Sequence, residues 1–363
     1  MTTAAATPAP TPWWAWTWPP LAWVILAAAA LAGTGGVIAV AAGAILILTV
    51  FAAVYHAEVV AHRVGEPFGT LVLAIAVTVI EVALIVSVMV GAGADKSGLA
   101  RDTVFAAVML ICNGLVGLCL LLGGARHYEQ GFQAQGACAA LAVLAALVTL
   151  TLVLPNFTTS TAGPVFTTSQ LLFAGVVSLA LYGAFVFVQT VRHRDYFLPD
   201  VPDEEAHAPP PSGGAALVSL VLLVVSLVAV VGLAKALTPT VEAGVARFGA
   251  PKAVVGIIIA ALVLLPESLA AIRAAHLNRL QTSMNLALGS ALASIGLTIP
   301  AVAVVSIIIG QPLALGLGAS QEVLLALTLL VGVVTLGTGR TTVLQGIVHL
   351  VILAAFLFFA VVP

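Results

Sequence analysis

Long apolar runs follow one another along almost the whole chain, separated by short groups of glycine, proline and charged residues. Eleven runs are long enough to cross, or nearly cross, the ~30 Å hydrocarbon core of a bilayer as a helix. The runs are continuously apolar, which favours helices over barrel strands, whose residues alternate in polarity. The predicted spans are near Leu21–Ala32, Val37–Ala57, Phe68–Val90, Val104–Gly123, Ala137–Leu154, Thr168–Val191, Ala215–Ala236, Ala253–Ala275, Met284–Ile309, Val323–Leu336 and Val343–Val362.

The composition agrees with this pattern. Hydrophobic residues make up 62% of the chain, charged residues 7%, and the mean hydropathy is +1.21, which is too apolar for a soluble fold. We therefore predict an all-α polytopic membrane protein with about 11 transmembrane helices and the lipid bilayer as its surroundings. A net charge of -2 leaves no basic surface for nucleic acid. No phosphate loop, zinc helix or nucleophile elbow occurs, so an enzyme is not expected.

One strongly polar stretch, His193 to Gly214, divides the chain. If the first span is set aside, five spans precede this stretch and five follow it, so the second half enters the membrane in the opposite orientation. This is the inverted-repeat plan of many secondary transporters. The predicted organisation is an N-terminal tail with a tryptophan anchor (1–20), N-terminal helices (21–57), a first repeat (37–191), an acidic proline-rich cytoplasmic loop (192–214) and a second repeat (215–363).

Arginine and lysine residues set the predicted orientation. Seven lie on one predicted face and five on the other, and the richer face is expected to be cytoplasmic. The N-terminus and the acidic loop are then inside the cell. The first span is predicted to follow Trp13, Trp14, Trp16 and Trp18, which lie at the membrane interface. At the end of the second span, His56, Glu58 and His62 are expected to be solvated.

Two acidic residues stand alone inside apolar spans. Glu81 and Glu267 each lie in the second span of their half. An acid at the centre of a bilayer costs roughly 2.5–3.5 kcal/mol on insertion scales, so it indicates a functional site. Because the two halves are predicted to be related by symmetry, the two glutamates are expected to form one site near the midplane. The alternative is that each is protonated and only bonds between helices.

A second group of polar residues lies in the span after each acid. Asn113 interrupts the first of these spans, and Ser290 and Ser294, with Thr298, interrupt the second. Their neutral oxygens are suitable to complete a cation's shell. Pro266 adds a further oxygen, because a proline in a helix leaves the carbonyl four residues earlier without its donor and is expected to unwind the backbone there. The alternative for the serines is close helix packing.

Other ionisable residues are weaker candidates. Glu322 and His349 are candidates for a proton route, although each also fits a packing or interfacial role. The acidic loop is a candidate for collecting or sensing cations, the alternative being a solvated linker. Its acidic residues are Asp200, Asp203, Glu204 and Glu205.

Four stretches carry a resemblance to a known family. They are GEPFGTLVLAIAVTVIEVALIVSVM (65–89), ICNGLVGLCLLLGGARHYEQGF (111–132), LPESLAAIRAAHLNRLQTSMNLALGSALASIGLTIP (265–300) and TGRTTVLQGIVHL (338–350). In order and spacing they resemble the cation/proton exchangers of the calcium:cation antiporter superfamily. The segment with Asn113 resembles the family's Gly-Ser-x-x-Ser-Asn element, and the segment from Gly289 to Ser294 resembles its counterpart in the second repeat.

The resemblance implies a transporter whose repeats each carry a Gly-Asn-Ala-x-Glu motif, with the glutamate binding the cation or protons. Glu81 and Glu267 match those glutamates, while Thr78 and Leu264 stand where the family has asparagine. It implies exchange of cytoplasmic Ca²⁺, with Na⁺ or K⁺ as alternatives, for external protons by alternating access in a bacterial inner membrane. No prosthetic group is expected. A cation or proton channel is the alternative, and a membrane scaffold or sensor that works through the acidic loop is a second.

Overall fold

The protein is described by a computed structural model that covers residues 11–65, 75–76, 78–86, 89, 97–198, 211–251 and 253–362. Ten long helices lie within these ranges, together with two very short strands. The helices are α1 (Trp13–Ala32), α2 (Gly36–Val64), α3 (Leu99–His127), α4 (Ala134–Asn156), α5 (Thr168–Arg192), α6 (Gly213–Arg247), α7 (Ala253–His276), α8 (Leu280–Ile309), α9 (Ala319–Leu336) and α10 (Val343–Val361). The strands are β1 (Gln130–Gly131) and β2 (Arg340–Thr341).

All ten of these helices are long and apolar enough to cross a membrane. They correspond to ten of the eleven predicted spans. The remaining span is described at residues 75–76, 78–86 and 89, all of which are helical, and it is called the Glu81 segment below. The all-α membrane class is thus confirmed, since a helix satisfies every backbone group internally where no water is available.

The chain divides into two compact units, and the first contains residues 1–80 and 199–241. In this unit, α1 packs against α2, with the Trp14 ring stacked on Trp18 and edge-on to Tyr55. Helix α1 begins at Trp13 and not near Leu21, so the tryptophans belong to the first helix and do not precede it. The aromatic contacts with α2 stabilise the helical conformation of these residues.

His56 corrects another prediction. It lies inside α2, which continues to Val64, and it is fully buried instead of solvated. Its Nε2 lies 3.0 Å from the carbonyl oxygen of Ala15 in α1. The sequence pattern placed His56 at the end of a span because Glu58, His62 and Arg63 follow it closely, but the packing of α1 against α2 covers it.

The second unit contains residues 81–198 and 242–363, and α3 is its most buried helix. Helix α3 packs against α7, α8 and α10. Its contact with α10 is close because glycines face each other: a Cβ added at Gly346 would lie 2.8 Å from the carbonyl oxygen of Gly117. Small residues at such contacts let membrane helices approach backbone to backbone.

Two loop contacts link the two halves of the chain within this unit. Strand β1, which precedes α4, pairs antiparallel with β2, which precedes α10. At the other end of α4, Val165 forms a bridge with Ala314 in the connection between α8 and α9. Each half therefore contributes one loop to each contact, as two repeats related by a two-fold axis would. The predicted repeat boundaries themselves stay a prediction.

Candidate functional site

The carboxylate of Glu81 is held by a serine from the other half of the chain. Glu81 is only 5% exposed. The hydroxyl of Ser294 in α8 lies 2.7 Å from Glu81 Oε1 and 2.8 Å from Oε2, so its single hydrogen is shared between the two oxygens. A hydroxyl donating to a carboxylate stabilises the charged form. The two carboxylate oxygens keep most of their lone pairs for another ligand.

Hydroxyl groups continue along the same face of α8. Ser290, Ser294 and Thr298 are spaced four residues apart, which places them one above another. Thr298 is fully buried, and its hydroxyl, like that of Ser294, is placed to bond to the Glu81 carboxylate. Ser290 is partly exposed. Thr298 thus provides a further oxygen near this carboxylate.

The second glutamate lies in α7. Glu267 is 9% exposed and belongs to the same unit as Glu81. Helix α7 remains α-helical from Ala253 through Pro266 to His276, so the predicted unwinding of the backbone at Pro266 is wrong. A proline nevertheless has no N–H to donate to Leu262, since this is a property of the residue itself. Thr78, predicted from the family motif, is buried in the Glu81 segment.

Asn113 lies in a π-helical turn, Leu110–Leu115, in the middle of α3. Such turns are frequent at functional sites. The turn packs against α7, which carries Glu267, and against α8, which carries Ser294. Asn113 itself is 0% exposed and bonds to α9 and α10 through Thr328 and His349. Asn113 and Ser294 thus each join the two halves of the chain.

The two candidates for a proton route belong to separate hydrogen-bonded groups. Glu322, near the start of α9, accepts a 2.8 Å bond from Nδ2 of Asn156. His349 contacts Thr335 near the other end of α9, about 20 Å away along the helix axis at 1.5 Å per residue. A route through both residues stays a prediction. The acidic loop residues Asp200, Asp203, Glu204 and Glu205 lie outside the described residues.

The sequence interpretation missed two threonines that the structure brings to Asn113 and His349. Thr328 and Thr335 are both buried in α9. A signal for them exists, because they are the polar residues of an otherwise apolar stretch and are seven residues apart, which places them on one helix face. Their role depends on residues of other helices, so their spacing alone did not distinguish them from packing residues.

Comparisons with known proteins agree with this fold. The model of the sodium/calcium exchanger protein family matches residues 34–191 and 218–362. A putative ionic transporter, y4hA of Sinorhizobium fredii, is 51% identical over 97% of both chains. The sodium-potassium/proton antiporter ChaA of Escherichia coli is 36% identical over 86% of this chain and 85% of its own.

Solved structures share the fold at low sequence identity. The H⁺/Ca²⁺ exchanger CAX superposes with a TM-score of 0.72 at 15% identity, over 95% of this chain and 87% of that one. Native YfkE superposes with a TM-score of 0.69 at 16% identity, over 96% of this chain and all of its own. Together with the match over both halves of the sequence, these likenesses show that the chain belongs to the sodium/calcium exchanger family of the calcium:cation antiporter superfamily.

Proposed function

We propose that the protein is a secondary active antiporter that exchanges cytoplasmic Na⁺ or K⁺, and Ca²⁺ more weakly, for external protons at Glu81 and Glu267. The observation that carries this proposal is the buried carboxylate of Glu81, to which Ser294 of the other half donates a hydrogen bond. A carboxylate in this position is stable when a proton or a cation neutralises it. The two ligands compete for the same oxygens, and this competition couples their movements.

The choice of cation rests on the number of oxygen ligands. Ca²⁺ takes six to eight oxygens in proteins. Here, Leu264 stands at a position where the family motif has asparagine, and its side chain offers no oxygen. The relative ChaA, which is named for sodium, potassium and protons, points the same way. Two carboxylates and a few hydroxyls offer Ca²⁺ an incomplete shell, which favours a monovalent cation, while their combined charge still allows Ca²⁺ to bind.

We expect alternating access because of the way the halves meet. Glu81 belongs to one half of the chain and its donor Ser294 to the other, so a movement of one half against the other opens or closes the site on one side of the membrane. Two protons, one Ca²⁺, or one monovalent cation together with one proton would each neutralise the two carboxylates, which lowers the cost of this movement through the bilayer.

Purified protein in liposomes with a pH-sensitive dye in the lumen tests the exchange. Pulses of Na⁺ or K⁺ are expected to drive proton movement in the opposite direction, with half-saturation at lower concentration than for Ca²⁺. A proton flux that runs opposite to the cation flux in a fixed ratio supports the antiporter. A cation current that persists without any proton counterflow contradicts the proposal and identifies a channel.

Ser294→Ala is expected to weaken cation binding. A hydrogen bond to a charged group contributes roughly 1.5–3 kcal/mol, so losing the donor from the ionised Glu81 raises the cation KM about tenfold or more. Ser294→Thr keeps the hydroxyl and restores most of the affinity. Thr151→Val is the control, because the Thr151 hydroxyl donates to the carbonyl oxygen of Leu147 in its own helix at 2.7 Å. An unchanged KM in Ser294→Ala contradicts the role given to this hydroxyl.

A further inference from the structure

A buried chain of hydrogen bonds surrounds Asn113 and joins three helices. Nδ2 of Asn113 in α3 donates to Oγ1 of Thr328 in α9 at 2.9 Å. Oδ1 of Asn113 lies 3.3 Å from Nδ1 of His349 in α10, and Nε2 of His349 lies 3.3 Å from Oγ1 of Thr335 in α9. Asn113 is 0% and His349 1% exposed, so their polar groups need partners inside the protein, and the backbone carbonyl of Cys112 is a further acceptor for the imidazole.

The direction of each bond can be assigned from its neighbours. The Thr328 hydroxyl lies 2.7 Å from the carbonyl oxygen of Leu324, to which it donates, so it accepts from Asn113. The amide nitrogen of Asn113 therefore points to Thr328, and its oxygen points to His349. Since that oxygen only accepts, His349 Nδ1 carries a hydrogen. Nε2 of a neutral His349 then accepts from the Thr335 hydroxyl.

This assignment leaves one lone pair of the Asn113 side chain without a hydrogen-bond partner. One Nδ2 hydrogen goes to Thr328, and the Sδ of Met109 lies 3.8 Å from Nδ2 as a weak acceptor for the other. His349 occupies one of the two lone pairs of Oδ1. What remains is a single lone pair on Oδ1, held in a π-helical turn that packs against the helices of Glu267 and Ser294. A fixed carbonyl oxygen of this kind is a suitable cation ligand.

The position of His349 is itself fixed by helix packing. A Cβ added at Gly117 of α3 would lie 3.1 Å from the Cβ of His349 and 3.2 Å from the carbonyl oxygen of Gly346. The backbone of α10 at His349 is thus pressed against α3, and the imidazole has little freedom to turn away from Asn113. Mutation of a residue that orients a metal ligand in this way typically lowers affinity about 10- to 100-fold.

We propose that His349 is a positioning residue for cation binding, which acts through Asn113 by holding its carbonyl oxygen toward the site shared with Glu81 and Glu267. This inference rests on the proposed function, because it needs the site to bind a cation. It gives His349 a role other than carrying protons along a route. The role requires the hydrogen bond and not the basic nitrogen, so a side chain with an amide in the same place should perform it.

The test measures Na⁺-driven proton flux in liposomes for His349→Leu, His349→Gln and Asn113→Ala. His349→Leu is expected to raise the KM for Na⁺ about 10- to 100-fold with a much smaller change in maximal rate. His349→Gln, whose amide donates to Asn113 and accepts from Thr335, is expected to restore most of the affinity. The exposed His62→Leu is the matched control and should keep the wild-type KM.

A double mutant separates positioning from a direct role. If His349 acts only through Asn113, the His349→Leu/Asn113→Ala double mutant has the same KM as Asn113→Ala alone. A KM within twofold of wild type in His349→Leu, or fully additive effects in the double mutant, overturns the inference. Thr335→Val removes only the partner of Nε2 and supplies the same test if His349→Leu does not fold. If the wild-type protein shows no exchange, the result contradicts the proposed function and not the role of His349.

Discussion

Glu81→Gln and Glu267→Gln are each expected to reduce exchange to about one hundredth of the wild-type rate or less. Glutamine keeps the size of the side chain, and its carbonyl oxygen still accepts the hydrogen bond from Ser294. It carries no charge and binds no exchangeable proton, so a cation bound beside it loses the attraction of one carboxylate. Removing one partner of a buried ion pair costs roughly 3–5 kcal/mol, which corresponds to a loss of binding of about a hundredfold or more.

Glu129→Gln is the matched control for these variants. Glu129 forms an exposed ion pair with Arg340, with Oε1 3.0 Å from Nη1, and such pairs contribute little. The control should show wild-type proton flux for every cation. The decisive measurement is cation-driven flux in liposomes at equal protein content. If either Glu81→Gln or Glu267→Gln keeps more than half of the wild-type rate, its glutamate is not part of the exchange site.

Gly346→Ala is expected to have the largest effect on stability. The added Cβ would lie 2.5 Å from the backbone nitrogen of Leu121 and 2.8 Å from the carbonyl oxygen of Gly117, so two helix backbones have to separate. Overpacking of this kind costs roughly 1–3 kcal/mol. The thermal midpoint in detergent should therefore fall by roughly 1–4 °C. His349 lies one helical turn later, so the cation KM should rise as well.

Gly183→Ala provides the comparison for this substitution. Gly183 lies in α5, and a Cβ added there meets nothing within 4 Å. The same chemical change should therefore leave both the midpoint and the flux as in the wild type. Equal midpoints for Gly346→Ala and Gly183→Ala would show that the contact between α3 and α10 tolerates a methyl group, against the geometry described above.

Most of the architecture follows from local patterns. Long apolar runs predict the spans because a bilayer requires helices of a certain length, and the isolated glutamates stand out because charge inside such runs is costly. These signals lie within one segment of the sequence. The beginning of α1 and the burial of His56 were missed because they depend on the contact between α1 and α2, which the pattern of either helix alone does not contain.

The details of the candidate site depend on still more distant contacts. Ser294 was predicted as a ligand from its position, but only the structure shows that it donates to Glu81, 213 residues away. The π-helical turn at Asn113 has no recognisable signal in the sequence LICNGL. Thr328 and Thr335 could have been found by their spacing on one face of α9, whereas their connection to Asn113 and His349 depends on how α3, α9 and α10 meet.

Helix α3 is synthesised long before α10, a helix that packs against it. Asn113 receives its partner His349 only after another 236 residues have been translated, which is more than half of the chain. Until then, α3 has to reside in the membrane with its amide and its glycine face uncovered by α10. Helix insertion and helix association are therefore separated in time. Nascent chains that end before Val343 should consequently depend on the insertion machinery or a membrane chaperone to shield α3 from lipid.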